Sequence, residues 1–199
     1  SEFFQNMADE LRGKRIFVVA TWTLLHQMAK AGLSRGLEGV FAPDSYIVTT
    51  GGAKGLVQPQ DWKQDVLRFT GASRMEETYA MSEVVGGSHV KCEHGHYHFS
   101  HMVVPYVLDP ETSKPLPREG RVTGRAAFYC LGAPTRWGGF ITGDEITVEW
   151  DEPCPCGRHS RYIVGPIQRY SDKDGGDDKI TCAATESSHR EAMDFLTAL

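Results

Sequence analysis

Two short stretches carry residues with metal-binding chemistry. One is Cys92-Glu93-His94-Gly95-His96-Tyr97-His98 and the other is Cys154-Pro155-Cys156. Thiolate sulfur and imidazole nitrogen are the ligands a tetrahedral zinc takes. Cys92 and His98 flank a glycine-containing turn, as hairpin ligands do, and a Cys-x-Cys on a second turn supplies the other two ligands of a Cys₃His site. The competing reading is a set of reduced, unpaired thiols. His94, His96, His101 and His159 are alternates for the imidazole, and each alone also reads as a surface residue. Nothing demands the open position of a catalytic zinc, so the expected role is structural. The chain has five cysteines, an odd number, and no sign of secretion, which favours metal over a disulfide framework.

Three further places combine a strand end with polar chemistry. Thr49-Thr50-Gly51-Gly52-Ala53-Lys54-Gly55 is a glycine-rich turn that lets backbone approach a flat or anionic ligand, or is an ordinary loop. Thr78-Tyr79-Ala80-Met81-Ser82-Glu83 offers a ring to stack on a base, a hydroxyl for a phosphate oxygen and a carboxylate for Mg²⁺. It equally describes a buried tyrosine before a polar loop. Phe140-Ile141-Thr142-Gly143-Asp144-Glu145 reads as a turn presenting an aspartate, which can accept hydrogen bonds from both hydroxyls of a ribose or simply cap a β-turn.

The elements that must position these groups change character part-way along the chain. The start reads as helix. Arg15 to Ala20 reads as a strand, and Thr21 or Thr23 can cap a helix with Leu24, Leu25 and Met28 on one face, stopped at Gly32. A second strand ends at Thr50, a helix carries Trp62, Val66, Leu67 and Phe69, and a third strand is expected over Glu77 to Met81. This alternation predicts a partial parallel α/β sheet over residues 1–84. Beyond it, short strands at Val103–Leu108, Arg121–Tyr129, Glu145–Trp150 and Arg161–Ile167 predict a small, β-rich, distorted barrel-like subdomain over 85–168. Residues 169–199 read as a hinge remnant, an acidic solvated stretch from Asp172 to Asp178 and a helix near Ser188–Leu199.

The 199 residues are 40% hydrophobic and 24% charged, which excludes a disordered chain, a collagen-like fibre and a coiled coil. The net charge is −5 with no Lys/Arg cluster, so nucleic acid is not an expected partner. No apolar run approaches the ~20 residues a membrane span needs. With no signal peptide, the expected location is cytoplasmic. There is no G-x-S-x-G elbow, no P-loop and no EF-hand spacing.

Taken in order, the motifs resemble the adenylate-forming (acyl-activating) enzyme superfamily. Tyr79-Ala80-Met81-Ser82-Glu83 is similar to its Tyr-Gly-Met-Thr-Glu signature, Thr142-Gly143-Asp144 to its Thr-Gly-Asp, and the Gly51-Gly52-Ala53-Lys54-Gly55 turn sits where its adenine-contacting loop belongs. Val107 to Gly120 and Pro153-Cys154-Pro155-Cys156-Gly157-Arg158 resemble stretches of phenylacetate–coenzyme A ligases, which also carry a cysteine and a later histidine at comparable places. The resemblance implies ATP-dependent activation of a carboxylic acid as an acyl-adenylate and its transfer to a thiol. It implies that Tyr79 stacks on adenine with Gly51, Gly52 and Ala53 along its edge. Ser82 then meets the phosphate, Glu83 binds Mg²⁺, Asp144 holds the ribose hydroxyls, and Arg169 falls near the hinge arginine.

The departures shape the expectation as well. Ala80 and Ser82 replace the glycine and threonine of the signature. The Ser/Thr/Gly-rich phosphate loop and the lysine-bearing lid are not in this sequence, so it reads as the later part of such an enzyme and alone is not expected to turn over. The short tail resembles the acyl-protein synthetases of fatty-acid reductase systems, in which case Cys182 is a candidate acyl-carrying thiol, or else a small apolar cysteine packed by a helix. The acceptor is then coenzyme A or a partner protein's thiol. The rival class is a non-catalytic, zinc-stapled binding or assembly module.

Overall fold

The computed structural model describes residues 2–51, 58–84, 88–132 and 139–173. Its first half is built by β-branched runs alternating with amphipathic helices: α1 (Glu2–Leu11), β1 (Phe17–Thr21), α2 (Trp22–Leu33), β2 (Tyr46–Thr50), α3 (Trp62–Thr70) and β3 (Met75–Tyr79). β1 and β3 flank β2 in parallel, with Thr21, Thr50 and Thr78 in register at their carboxyl ends. Thr21 both ends β1 and caps α2, its Oγ1 accepting from the Leu24 N–H at 3.4 Å. One core forms between helices and sheet, around Trp22, Leu25, Ala29, Ile47, Trp62, Val66 and Phe69.

The second half is antiparallel. Its strands are β4 (His89–Lys91), β5 (Tyr97–His98), β6 (Val103–Leu108), β7 (Arg121–Cys130), β8 (Gly139–Glu149), β9 (Tyr162–Ile163) and β10 (Gln168–Arg169). They continue the same sheet in the order β1-β2-β3-β4-β5-β9-β8-β7-β6, with β10 beside β8, giving ten strands among the described residues. The parallel and antiparallel halves join where Tyr79 of β3 pairs with His89 of β4. A second core, with Phe99, Val107, Phe128, Ile146, Val148, Trp150 and Ile163, lies on this half. No described helix is long and apolar enough to cross a membrane.

The α/β class and the switch from parallel to antiparallel pairing agree with the sequence, while several details differ. Leu24 is 58% exposed, so the buried face of α2 is instead Trp22, Leu25 and Ala29, with His26 and Gly32. Gly32 does not stop the helix. It lies inside α2, where an added Cβ would sit 2.1 Å from Cε2 of Phe69, so the missing side chain lets α2 close on α3. The third strand begins at Met75, two residues before Glu77, and ends at Tyr79, leaving Met81 in the following turn. β8 begins at Gly139, so the Thr-Gly-Asp stretch is in a strand and not a turn. The Arg161–Ile167 strand shrinks to Tyr162–Ile163. Gly52, Ala53, Cys182, the Ser188–Leu199 helix and all but the start of the acidic stretch lie outside the described residues.

The Gly32 contact gives a direct test of the helix packing. Gly32→Ala drives a methyl into a wholly buried ring and should destabilise by about 1–3 kcal/mol, despite alanine's better helix propensity. A thermal melt reads this, and Phe69→Leu in the same chain should recover part of the loss.

Candidate functional site: a bulged strand facing a strand end, and a thiol–imidazole cluster

Asp144 owes its position to an irregularity in β8. Arg125 of β7 pairs with Glu145, but Ala127 pairs with Ile141, so Ala126 alone faces Thr142, Gly143 and Asp144. Bulges of this kind bend a strand and re-aim a side chain, and a glycine inside a strand is their usual companion. The extra backbone is satisfied locally. Thr142 Oγ1 donates to the Ala126 carbonyl at 3.0 Å and accepts the Asp144 N–H at 3.0 Å. The buried Arg125 guanidinium donates to the Thr142 carbonyl at 3.0 Å and lies 4.5 Å from the Tyr170 ring centroid.

The re-aimed carboxylate meets two residues distant in sequence. The Tyr79 hydroxyl, at the end of β3, donates to Asp144 Oδ2 at 2.7 Å. Arg169 of β10, paired directly opposite Asp144, brings Nε to 3.5 Å from Oδ1. The Tyr79 ring is partly buried against His89, Tyr97 and Phe128. Burial, then the Asp144 charge, holds its phenol well above the usual tyrosine range, so it is a permanent donor.

The other residues sit at the same edge. Gly51 follows β2 with φ +91°, a left-handed conformation that glycine supplies without strain, and an added Cβ there would meet Thr21 Cγ2 at 3.5 Å. The Thr49 and Thr50 hydroxyls just before it are buried with no hydrogen-bond partner among the described residues. Ser82 and Glu83 are exposed on the turn after β3, Ser82 Oγ donating to Glu83 Oε2 at 3.3 Å, and the turn is anchored by buried Val84. The edge thus presents a fixed carboxylate, a guanidinium, an aromatic ring and the exposed Ser82 hydroxyl, a set suited to a polyhydroxylated, phosphorylated aromatic ligand. It is the carboxyl edge of the parallel strands, where open α/β sheets bind ligands.

The second cluster is the thiol–imidazole group. Ligand atoms of Cys92, His98, Cys154 and Cys156 all lie within 4.8 Å of one another. Cys92 Sγ and Cys154 Sγ are 3.9 Å apart, far beyond a disulfide and close to the ~3.8 Å edge of a tetrahedron with ~2.3 Å zinc–sulfur bonds. His98 Nε2 is 3.2 Å from Cys156 Sγ, while its Nδ1 is 3.0 Å from Ser160 Oγ. A proton on Nδ1, given to that hydroxyl, leaves the Nε2 lone pair free for a metal. Burial, with the Arg158 and His96 charges, holds His98 below its usual range and therefore neutral. Burial pushes the Cys154 thiol up to about 11, so a cation is what would make it a thiolate at neutral pH. The donor set fits zinc.

Tight turns set the spacing. The Cys92 N–H donates to the His96 carbonyl at 2.8 Å across one turn, and the Gly157 N–H to the Cys154 carbonyl at 3.0 Å across the other. His96, an alternate in sequence, places Nδ1 3.2 Å from Cys154 Sγ and stacks on Tyr162 at 4.7 Å. The sequence reading missed Ser160, and also Glu149, a buried carboxylate that accepts the Asp151 and Glu152 N–H groups and the Arg121 guanidinium at the start of the Cys154 turn. Their only signal was nearness to the cysteines. A groove of about 920 Å³ lined by Arg15, Phe17, Asp44, Tyr46 and Arg74 lies at the opposite, amino-terminal ends of the strands, away from all these groups.

No family model matches the chain, and no curated protein matches its sequence. Solved structures do resemble it. An open conformation of 2-hydroxyisobutyryl-CoA ligase, in complex with 2-HIB-AMP and CoA, aligns at a TM-score of 0.61 and 15% identity over 86% of this chain and 36% of that one. The fold is that of a segment of this ligase. A red-emitting luciferase from Phrixothrix hirtus aligns at 0.49 with 17% identity, over 77% of this chain and 35% of that one. Apo MatB from Rhodopseudomonas palustris aligns at 0.45 with 18% identity, over 81% and 32%. The chain therefore spans about a third of the length of each of these proteins.

The Tyr79–Asp144 contact predicts a titration. Asp144→Asn removes the charge that opposes ionisation of the phenol, so the Tyr79 pKa should fall while staying above 10, because burial remains. Carbon-13 NMR of labelled tyrosine checks this, and an unchanged Tyr79 pKa would place the two groups apart in solution.

Proposed function

We propose that this chain is part of an ATP-dependent ligase that activates a carboxylic acid as an acyl-adenylate and passes the acyl group to a thiol, of coenzyme A or of a protein cysteine. The observation that carries the reading is the meeting of Tyr79, Asp144 and Arg169 from three strands at one point, in a fold shared with a ligase solved with an acyl-adenylate. In the reaction a carboxylate oxygen of the acid attacks the α-phosphorus of ATP and pyrophosphate leaves. The thiol sulfur then attacks the acyl carbon, and AMP leaves with the bonding electrons.

On this reading the Tyr79 ring packs on adenine beside Gly51, Gly52 and Ala53, and Asp144 accepts the ribose hydroxyls. Arg169 turns from Asp144 toward the developing phosphate charge, and Ser82 donates to a phosphate oxygen. Glu83 would hold Mg²⁺, which supplies positive charge to the phosphates. The work of these residues is positioning and charge stabilisation. Cys92, His98, Cys154 and Cys156 would hold a zinc that takes no part in the reaction and clips the β4–β5 hairpin to the turn before β9.

The nucleotide half of the proposal is tested by calorimetry of AMP binding to the 199-residue chain. Asp144→Ala should weaken it at least tenfold, since a hydrogen bond to a charged group contributes about 1.5–3 kcal/mol. Equal affinity in both proteins would overturn the ribose assignment. The metal half is tested by elemental analysis, which should find about one zinc per chain. Cys154→Ser should lose the metal and lower the melting temperature by about 5 °C or more, whereas Cys130→Ser, which changes a buried thiol of the other core, should keep the metal.

A further inference from the structure

We infer that Tyr79 is a positioning residue for Asp144: its hydroxyl, separately from its ring, fixes the carboxylate orientation that receives a ribose diol. The inference rests on the proposed adenylate site and adds to it a second role for Tyr79 beyond stacking. The geometry is specific. Tyr79 Oη holds Oδ2 at 2.7 Å, while Arg169 Nε reaches Oδ1 from the other side at 3.5 Å. Of these two contacts the neutral hydroxyl is the closer and the charged guanidinium the looser.

The difference between the two donors matters. A guanidinium engages a carboxylate most strongly through two parallel bonds to both oxygens. In that arrangement with Arg169, both oxygens of Asp144 would turn toward the guanidinium. The Tyr79 hydroxyl prevents this by occupying Oδ2. It is itself immobile, because β3 pairing with β4 fixes its backbone and His89, Tyr97 and Phe128 surround its ring. Of these two contacts, the longer one, 3.5 Å from Arg169 to Oδ1, is the one that gives way when hydroxyls arrive. The bulge and the strand end serve a single carboxylate orientation.

The test separates hydroxyl from ring and fold. AMP and 2′,3′-dideoxyadenosine monophosphate are titrated into the wild-type chain, Tyr79→Phe and Asp144→Ala. Tyr79→Phe keeps the ring and should weaken AMP about fivefold to tenfold, while the dideoxy nucleotide, which has no diol for Asp144, should bind within about twofold of wild type. Thermal melting of Tyr79→Phe confirms that the chain is folded at the titration temperature. If Tyr79→Phe binds AMP as wild type does, or weakens both nucleotides equally, Tyr79 acts through its ring or through the fold and the inference is overturned. Failure of the wild-type chain to bind AMP, or an Asp144→Ala chain that binds it unchanged, overturns the adenylate site itself and this inference with it.

Discussion

One continuous sheet must bring the end of a parallel strand to the middle of an antiparallel one, and the Tyr79–Asp144 hydrogen bond is where that requirement is met. The two residues are 65 apart in sequence, yet 2.7 Å separates their oxygens. Three features make this possible. β3 turns into β4 by antiparallel pairing, the β8 bulge turns Asp144 toward β3, and β10 returns Arg169 along the other side of β8. Losing any one of them leaves a carboxylate, a phenol and a guanidinium on separate surfaces.

The region between the two cores explains why a metal clip belongs where the thiols gather. β4, β5 and β9 are two or three residues long, and the cluster at the thiols is small, with Cys92, Cys154 and Tyr162 as its buried members. Strands this short bury too little apolar surface to hold their own register. They are nevertheless the bridge through which the parallel half meets β8. Four ligands on two turns would supply the missing rigidity there, with Ser160 and Glu149 orienting the parts. The proposed zinc thereby acts indirectly on the spacing between Tyr79 and Asp144.

Much of this was legible in the sequence where a local rule governs. The β-branched run before Thr21, the Trp62-Val66-Phe69 spacing and the short Val103–Leu108 run each identify an element that tertiary packing leaves alone. The four metal-ligand candidates were legible because thiols and imidazoles stand out by type, and the structure gathers those same four. What stayed hidden is what depends on pairing partners. Gly32 reads as a stop until the Phe69 ring against it is known. Gly143 reads as a turn until β7 is seen to continue past it, so that the irregularity becomes a bulge. Ser160 and Glu149 have side-chain types too common to stand out, and only their contacts reveal them.

The proposed adenylate surface at one edge of this sheet is open to an AMP titration of isotope-labelled chain followed by NMR at assigned residues. Saturable shifts are expected at Gly51, Tyr79, Asp144 and Arg169, with Arg15, Tyr46 and Arg74 in the groove at the opposite strand ends unmoved. Shifts confined to that groove, or none at millimolar AMP, would contradict it.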